Sequence, residues 1–257
     1  MRRPEDSADP VTPADASAAA SGHAPDGHTP DGEAPAANIA SLLVLADGRF
    51  PAGSHAHSGG AEAAVHAGRV TDAATLADFC RGRLHTAGLT AAGLAAAAAS
   101  GAHDPLHLDE AADARTPSSA LRRVSRRLGR QLMRAGRTVW PSAALDELAR
   151  ARPRGAHQPV VLGLVALAAG LGPPEAAHAA AYEGVSGPVT AAVRLLALDP
   201  FEASAVLARL TPDIARTAEE AVRAAHGPLD QLPAAAAPLL EITAEDHAAW
   251  PVRLFAS

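Results

Sequence analysis

The chain has no lysine, a single cysteine and few aromatic residues, and each shortage removes a class of function. All 22 of its basic residues are arginine. A phosphate loop of the P-loop type places a lysine after its glycines, so that nucleotide site is excluded. Cys80 stands alone, which rules out an internal disulfide and a cysteine-based zinc site. Its place in a helical pattern makes it a buried structural thiol. Aromatics are 3% of the residues, and the β-branched residues that favour strands are also scarce. No apolar run reaches the ~20 residues that a membrane helix needs. The most apolar one, VVLGLVALAAGL from Val160, reads as a buried central helix. Arg2 and Arg3 lead into no apolar stretch, so this segment is not expected to be a signal peptide and the expected location is cytoplasmic. A net charge of −6 argues against nucleic acid as a partner.

What is present is alanine, the best helix former, within an apolar fraction of 48%. The expected fold is all-α: a single-domain helical bundle of about ten helices over 38–257. Residues 1–37 hold almost no large apolar side chains and are expected to form a disordered extension. His23 and His28 lie there with Asp26 and Asp31, thin grounds for a nickel-binding tail.

The first helix is expected near Asn38, and Thr71 is expected to cap one running to about Ala87. Gly88 and Gly93 predict a break before an Ala-rich helix, and Asp104-Pro105 and Thr116–Ser119 are further start signals. Gly184, Gly187 and Pro188 predict a break or kink. Thr211-Pro212-Asp213 predicts a new helix start. From Ala120 to Arg137, Leu121, Val124, Leu128 and Leu132 make one apolar stripe. Arg122, Arg123, Arg126, Arg127, Arg130, Arg134 and Arg137 cover most of the rest. That is either a solvated face or a face for an acidic partner. No bulky aromatic anchors sit opposite the arginines, which argues against a membrane surface.

The chain is organised around residues 42–70. An apolar run, Leu42 to Ala46, meets a Gly/Pro-rich loop, and helical pattern resumes at Ala61. Neither Ser54 nor Ser58 has the glycine that a nucleophile elbow needs two residues before it. His55 and His57 form a His-x-His pair with no third ligand nearby, a weak metal signal. Ordinary loop hydrogen bonding is the simpler reading.

This stretch resembles the N-terminal signature of the urease accessory protein UreF family. Leu42-Leu43-Val44-Leu45-Ala46 is similar to its opening Leu-Leu-x-Leu-Ala/Ser. Pro51, Gly53, Ser58, Gly60 and Glu62 match its Pro-x-Gly-x-x-x-x-Ser-x-Gly-x-Glu spacing. Further matches are Gly129-Arg130-Gln131-Leu132, His157-Gln158-Pro159 before an apolar helix, Ala191-Ala192-Val193-Arg194-Leu195, and the terminal Arg253-Leu254-Phe255-Ala256-Ser257. The chain departs from the family at Asp199 to Ala203, where a Gly-Gln step is usual.

The resemblance implies an all-helical homodimer without cofactor or catalytic site. Such a protein acts as an adaptor in nickel insertion into the urease apoprotein. It bridges the accessory protein UreD (also called UreH) and the GTPase UreG, whose GTP hydrolysis it is proposed to regulate. Two other readings are a direct nickel-binding metallochaperone and a helical interaction protein unrelated to urease. An enzyme would need clustered acid/base residues, and the sequence offers scattered histidines. The partner-binding candidates are Pro51, Gly53, Ser58, Gly60, Glu62, Arg194, Trp250, Arg253, Leu254 and Phe255. Of these, Trp250, Leu254 and Phe255 are apolar anchors on a tail expected to project into a partner's groove. The bland reading is a tail folded back on its own body.

Overall fold

Alanine sets how closely these helices approach. The computed structural model describes residues 33–53 and 56–256. The helices are α1 (Glu33–Ala46), α2 (Ala61–His66), α3 (Ala73–Arg83), α4 (Leu89–Ala99), α5 (Pro105–Ala114) and α6 (Ser119–Val139). They continue as α7 (Ala143–Ala151), α8 (Gln158–Ala168), α9 (Pro173–Leu195), α10 (Pro200–Ala225) and α11 (Pro238–Ala248). Among the described residues there is no strand. A π-helical turn, Leu84–Gly88, joins α3 to α4 without a break. Counting that rod as one helix leaves ten, and the all-α expectation is met.

The centre is α4, with a buried run from Ala92 to Ala99, packed between α8, α9 and α10. Each buried methyl is worth only on the order of 0.8 kcal/mol. The stabilisation therefore depends on close approach, which multiplies dispersion contacts. Gly163 of α8 shows how close: a Cβ there would strike the Ala95 carbonyl oxygen. Val160 to Val165, bar Gly163, supply the aliphatic bulk, as expected of a buried central helix. Cys80 is fully buried, and burial pushes its thiol pKa up to about 12.

Several boundaries differ from the sequence reading. Helix α1 begins at Glu33 rather than near Asn38; the rest of the expected extension, with His23 and His28, lies outside the described residues. Gly88 and Gly93 do not break the rod. Gly93 lies within α4 and leaves room for Pro233, whose Cδ comes within 2.8 Å of where a Cβ would be.

Pro188 and Pro212 both lie inside helices. A proline lacks the N–H that would bond the carbonyl four residues back. For Pro188 that carbonyl is Gly184, and Arg83 Nε donates to it at 2.8 Å. For Pro212 it is Ala208, and the Thr211 hydroxyl donates to it at 2.7 Å. Each substitute donor lets the helix continue. Beside Pro212, the buried Asp213 carboxylate pairs with Arg81 across from α3.

Candidate interaction site at the C-terminal strap

Gly60 turns the chain into α2 at φ 92°, in the left-handed region that glycine tolerates. Two residues on, Glu62 sits in the first turn of α2, and its backbone N–H donates to the buried Ser58 hydroxyl at 3.3 Å. The Glu62 carboxylate is 6% exposed and holds the far end of the chain. It accepts the backbone N–H groups of Leu254 at 2.7 Å and Phe255 at 3.1 Å. The His247 Nε2 lies 2.9 Å away. Burial by itself would raise the Glu62 pKa. The hydrogen bonds from Leu254, His247 and Phe255 outweigh it and hold the carboxyl below its usual range.

Residues 250–256 form a strap over this carboxylate. Trp250 packs against both His66 and His247, with ring centroids 4.6 and 4.7 Å apart. The Ala256 N–H donates to the Ala56 carbonyl at 2.8 Å. Phe255 is buried under the Arg194 guanidinium, 5.6 Å from its ring centroid. The expectation of a projecting tail is therefore corrected at Phe255, which is folded onto its own body, and at the half-buried Trp250. A carboxylate that accepts the tail's main-chain N–H groups is the physical reason. Leu254 and Val252 remain outward, 65% and 80% exposed, and Arg253 is exposed beside them.

Arg194 makes no ion pair among the described residues and is exposed on α9 above Phe255. The structure thus gathers Ser58, Gly60, Glu62, Arg194, Trp250, Arg253, Leu254 and Phe255 in one place. Gly53 lies at the other end of the loop, packed on Gln131 of α6, and Pro51 is exposed nearby. His57 is buried; Ser54 and His55 lie outside the described residues. No group of three or more His, Cys, Asp or Glu among the described residues could hold a metal ion.

Helix α11, which carries the strap, is docked on the N-terminus of α6 by two carboxylates the sequence reading passed over. Glu241 accepts the Ser118 N–H at 2.6 Å, and Glu245 accepts the Ala120 N–H at 2.8 Å. With the Ser118 and Ser119 hydroxyls adding to the Ala120 N–H, the Glu245 pKa falls to about 2. Their i, i+4 spacing placed both on one helix face, which was the available signal.

The arginines of α6 divide by role. Arg126 and Arg152 enclose the buried Asp109, at 3.1 and 2.8 Å, and Asp109 also accepts the His157 N–H. Arg123, Arg127, Arg130, Arg134 and Arg137 are exposed, the last of them paired with Asp146 of α7 at 2.5 Å. Their 4-3-4-3 spacing makes one stripe about 21 Å long at 1.5 Å per residue.

Folding also assembles a nucleophile–base contact that the sequence does not show. The His157 Nδ1 lies 3.0 Å from Ser125 Oγ, and Nε2 lies 2.8 Å from Asp113. Ser125 stands mid-helix and also accepts the Gln158 N–H, capping α8. Burial, chiefly, lowers the His157 pKa and favours the neutral ring. The set joins α5, α6 and α8, with the His157 N–H bonded to Asp109 and the Gln158 N–H to Ser125.

The described residues form an all-helical body that clasps its own strap and turns apolar and basic surfaces outward. Residues 70–211 match the UreF family. A urease accessory protein UreF of Mycolicibacterium vanbaalenii is 43% identical over 224 residues, covering 86% of this chain and 99% of that one. One of Mycobacterium marinum is 42% identical over 219 residues, 85% and 99% of the two chains. One of Mycobacterium tuberculosis is 41% identical over 210 residues, 82% and 94%. The chain belongs to the UreF family.

Proposed function

We propose that this protein is a urease accessory adaptor that works without catalysing a reaction. In this reading it acts in the cytoplasm as a homodimer, bridging a UreD/UreH scaffold and the GTPase UreG during nickel insertion into the urease apoprotein. The observation that carries it is the strap: Glu62 fixes the main chain so that Arg253 and Leu254 face outward beside Arg194 and Val252. An exposed apolar cluster held on a rigid base suits a partner groove, because little ordering remains to be paid on binding. That surface is assigned to UreD/UreH. The arginine stripe of α6, with Pro51 and Gly53 at its flank, is assigned to UreG or to the dimer contact. Arginine suits ion pairs at interfaces, and a stripe of one sign steers an acidic partner.

Size-exclusion chromatography with light scattering tests this. The protein is mixed with its cognate UreD/UreH, full length, as Leu254→Asp, and with 250–257 removed. A defined complex with the full chain, lost in both variants, supports the reading. Equal binding by Leu254→Asp removes the strap's role. No complex with any form removes the adaptor assignment, and a nickel titration of the isolated protein follows.

A further inference from the structure

The arginine stripe of α6 has acids at its two ends and none at its centre. Arg123 lies in the field of Glu245, and Arg137 pairs with Asp146. The other ion pairs of the helix engage Arg122 and Arg126, on a different face. Arg127, Arg130 and Arg134 are exposed and form no ion pair among the described residues. Three like charges at helical spacing repel one another, so the row gains from a counter-charge. No other helix lines up three unpaired arginines among the described residues. Arg81 and Arg216 are paired with carboxylates, and Arg194 with Arg253 makes a pair at the strap, not a row.

The chain carries a counter-charge of its own. Residues 1–32 hold Glu5, Asp6, Asp9, Asp15, Asp26 and Asp31 against Arg2 and Arg3, and so contribute −4 to the net charge of −6. Apart from Met1, Val11 is the one large aliphatic residue in that segment, so charge rather than apolar contact would hold it to a surface. Glu5 to Asp9 covers about 13 Å when extended, and Arg127 to Arg134 covers about 10 Å of helix. The distance is within reach. The segment leads into α1, which is about 21 Å long. Just past the far end of α1, Phe50 stacks on Trp140 at the end of α6, with centroids 5.7 Å apart. Arg134 lies about 9 Å back along the helix from Trp140. The chain from Asp9 to Glu33 spans up to about 80 Å.

We propose that the acidic stretch 5–15 lies on Arg127, Arg130 and Arg134 of its own molecule, as an intramolecular counter-ion for the stripe. Single exposed ion pairs are weak and are screened by salt. Tethering sets the effective concentration of the segment in the millimolar range, so several weak pairs together keep the row covered. Such a cover yields to a partner that brings more carboxylates, and it turns away weakly acidic ones. The contact itself stands apart from the adaptor role; its effect on docking at the stripe rests on that reading.

The test is paramagnetic relaxation in the full chain, without any partner. Ala8→Cys places a nitroxide in the acidic stretch, and Cys80 is buried, its thiol pKa pushed up to about 12, so it stays unlabelled. At low salt, broadening of backbone amide signals is expected over 123–134. It should weaken about threefold or more at 500 mM salt. The same loss is expected in Arg127→Gln/Arg130→Gln/Arg134→Gln. It is also expected in Glu5→Gln/Asp6→Asn/Asp9→Asn/Asp15→Asn, which leaves the helical body untouched. Absence of broadening on α6, broadening centred on the strap arginines, or broadening unchanged in the folded variants overturns the proposal. Dilution of the labelled chain into an excess of unlabelled copies isolates contact within one molecule. Broadening that disappears on dilution also overturns it, because the segment then lies on a second copy.

Discussion

A buried and a half-buried glutamate, Glu62 and Glu183, give this protein opposite responses to pH. Glu62 is held below its ordinary value of 4.5 by groups that favour its charge. Its contribution is present above pH 4.5 and is lost as pH falls through the lowered value. Glu183 is raised from 4.5 to about 7 by burial. Its contribution is complete below pH 4.5 and is lost as pH rises through about 7. Stability measured by urea unfolding should therefore decline on both sides. Glu62→Gln should remove part of the acid decline and cost about 2 kcal/mol at pH 7, since hydrogen bonds to a charged acceptor are lost. The same variant should release the strap, seen as faster carboxypeptidase digestion. Glu183→Gln should flatten the profile between pH 5 and 8 while leaving the acid side unchanged, checked by the same unfolding series. Neither shift is legible from sequence, because each depends on which groups from distant segments surround the carboxyl.

Among the elements, glycine separates packing from propensity. Gly129 of α6 sits where a Cβ would enter the Ala156 carbonyl, so Gly129→Ala should destabilise by about 3 kcal/mol through forced separation of α6 from the segment leading into α8. Gly82 of α3 has nothing near, so Gly82→Ala should stabilise by about 0.5–1 kcal/mol from helix propensity alone. Thermal unfolding of the pair distinguishes the two mechanisms. Helix existence was legible because propensity and caps are local: Asp104 and Ser118 both cap as their positions suggest. The breaks were misread because what rescues them is often remote. Arg83 lies about a hundred residues from the carbonyl it satisfies, and Pro233 is likewise distant from Gly93. The rule that proline ends a helix assumes an unsatisfied carbonyl, and here the fold supplies the donor.

The whole molecule carries a net charge of −6, yet α6 turns five arginines to solvent in one line. Association through that face should be salt-sensitive. Raising ionic strength from about 50 to 300 mM should slow binding to an acidic partner by roughly tenfold, with little change for a partner bound through Leu254, as surface plasmon resonance with UreG and UreD/UreH would show. The residues of the strap site were legible as a set, since the Ser58–Glu62 motif and the terminal Arg253-Leu254-Phe255 run are distinctive in spacing. Their meeting was not, because nothing local links Glu62 to a segment about 190 residues away. That meeting separates attachment from identity. Glu62 and the Ala56 carbonyl bind peptide groups, which every residue but proline supplies alike, while the side chains of Val252 and Leu254 carry none of the hold. The outward face of the strap can therefore be rewritten to fit a different groove, one residue at a time, without loosening its grip on the body.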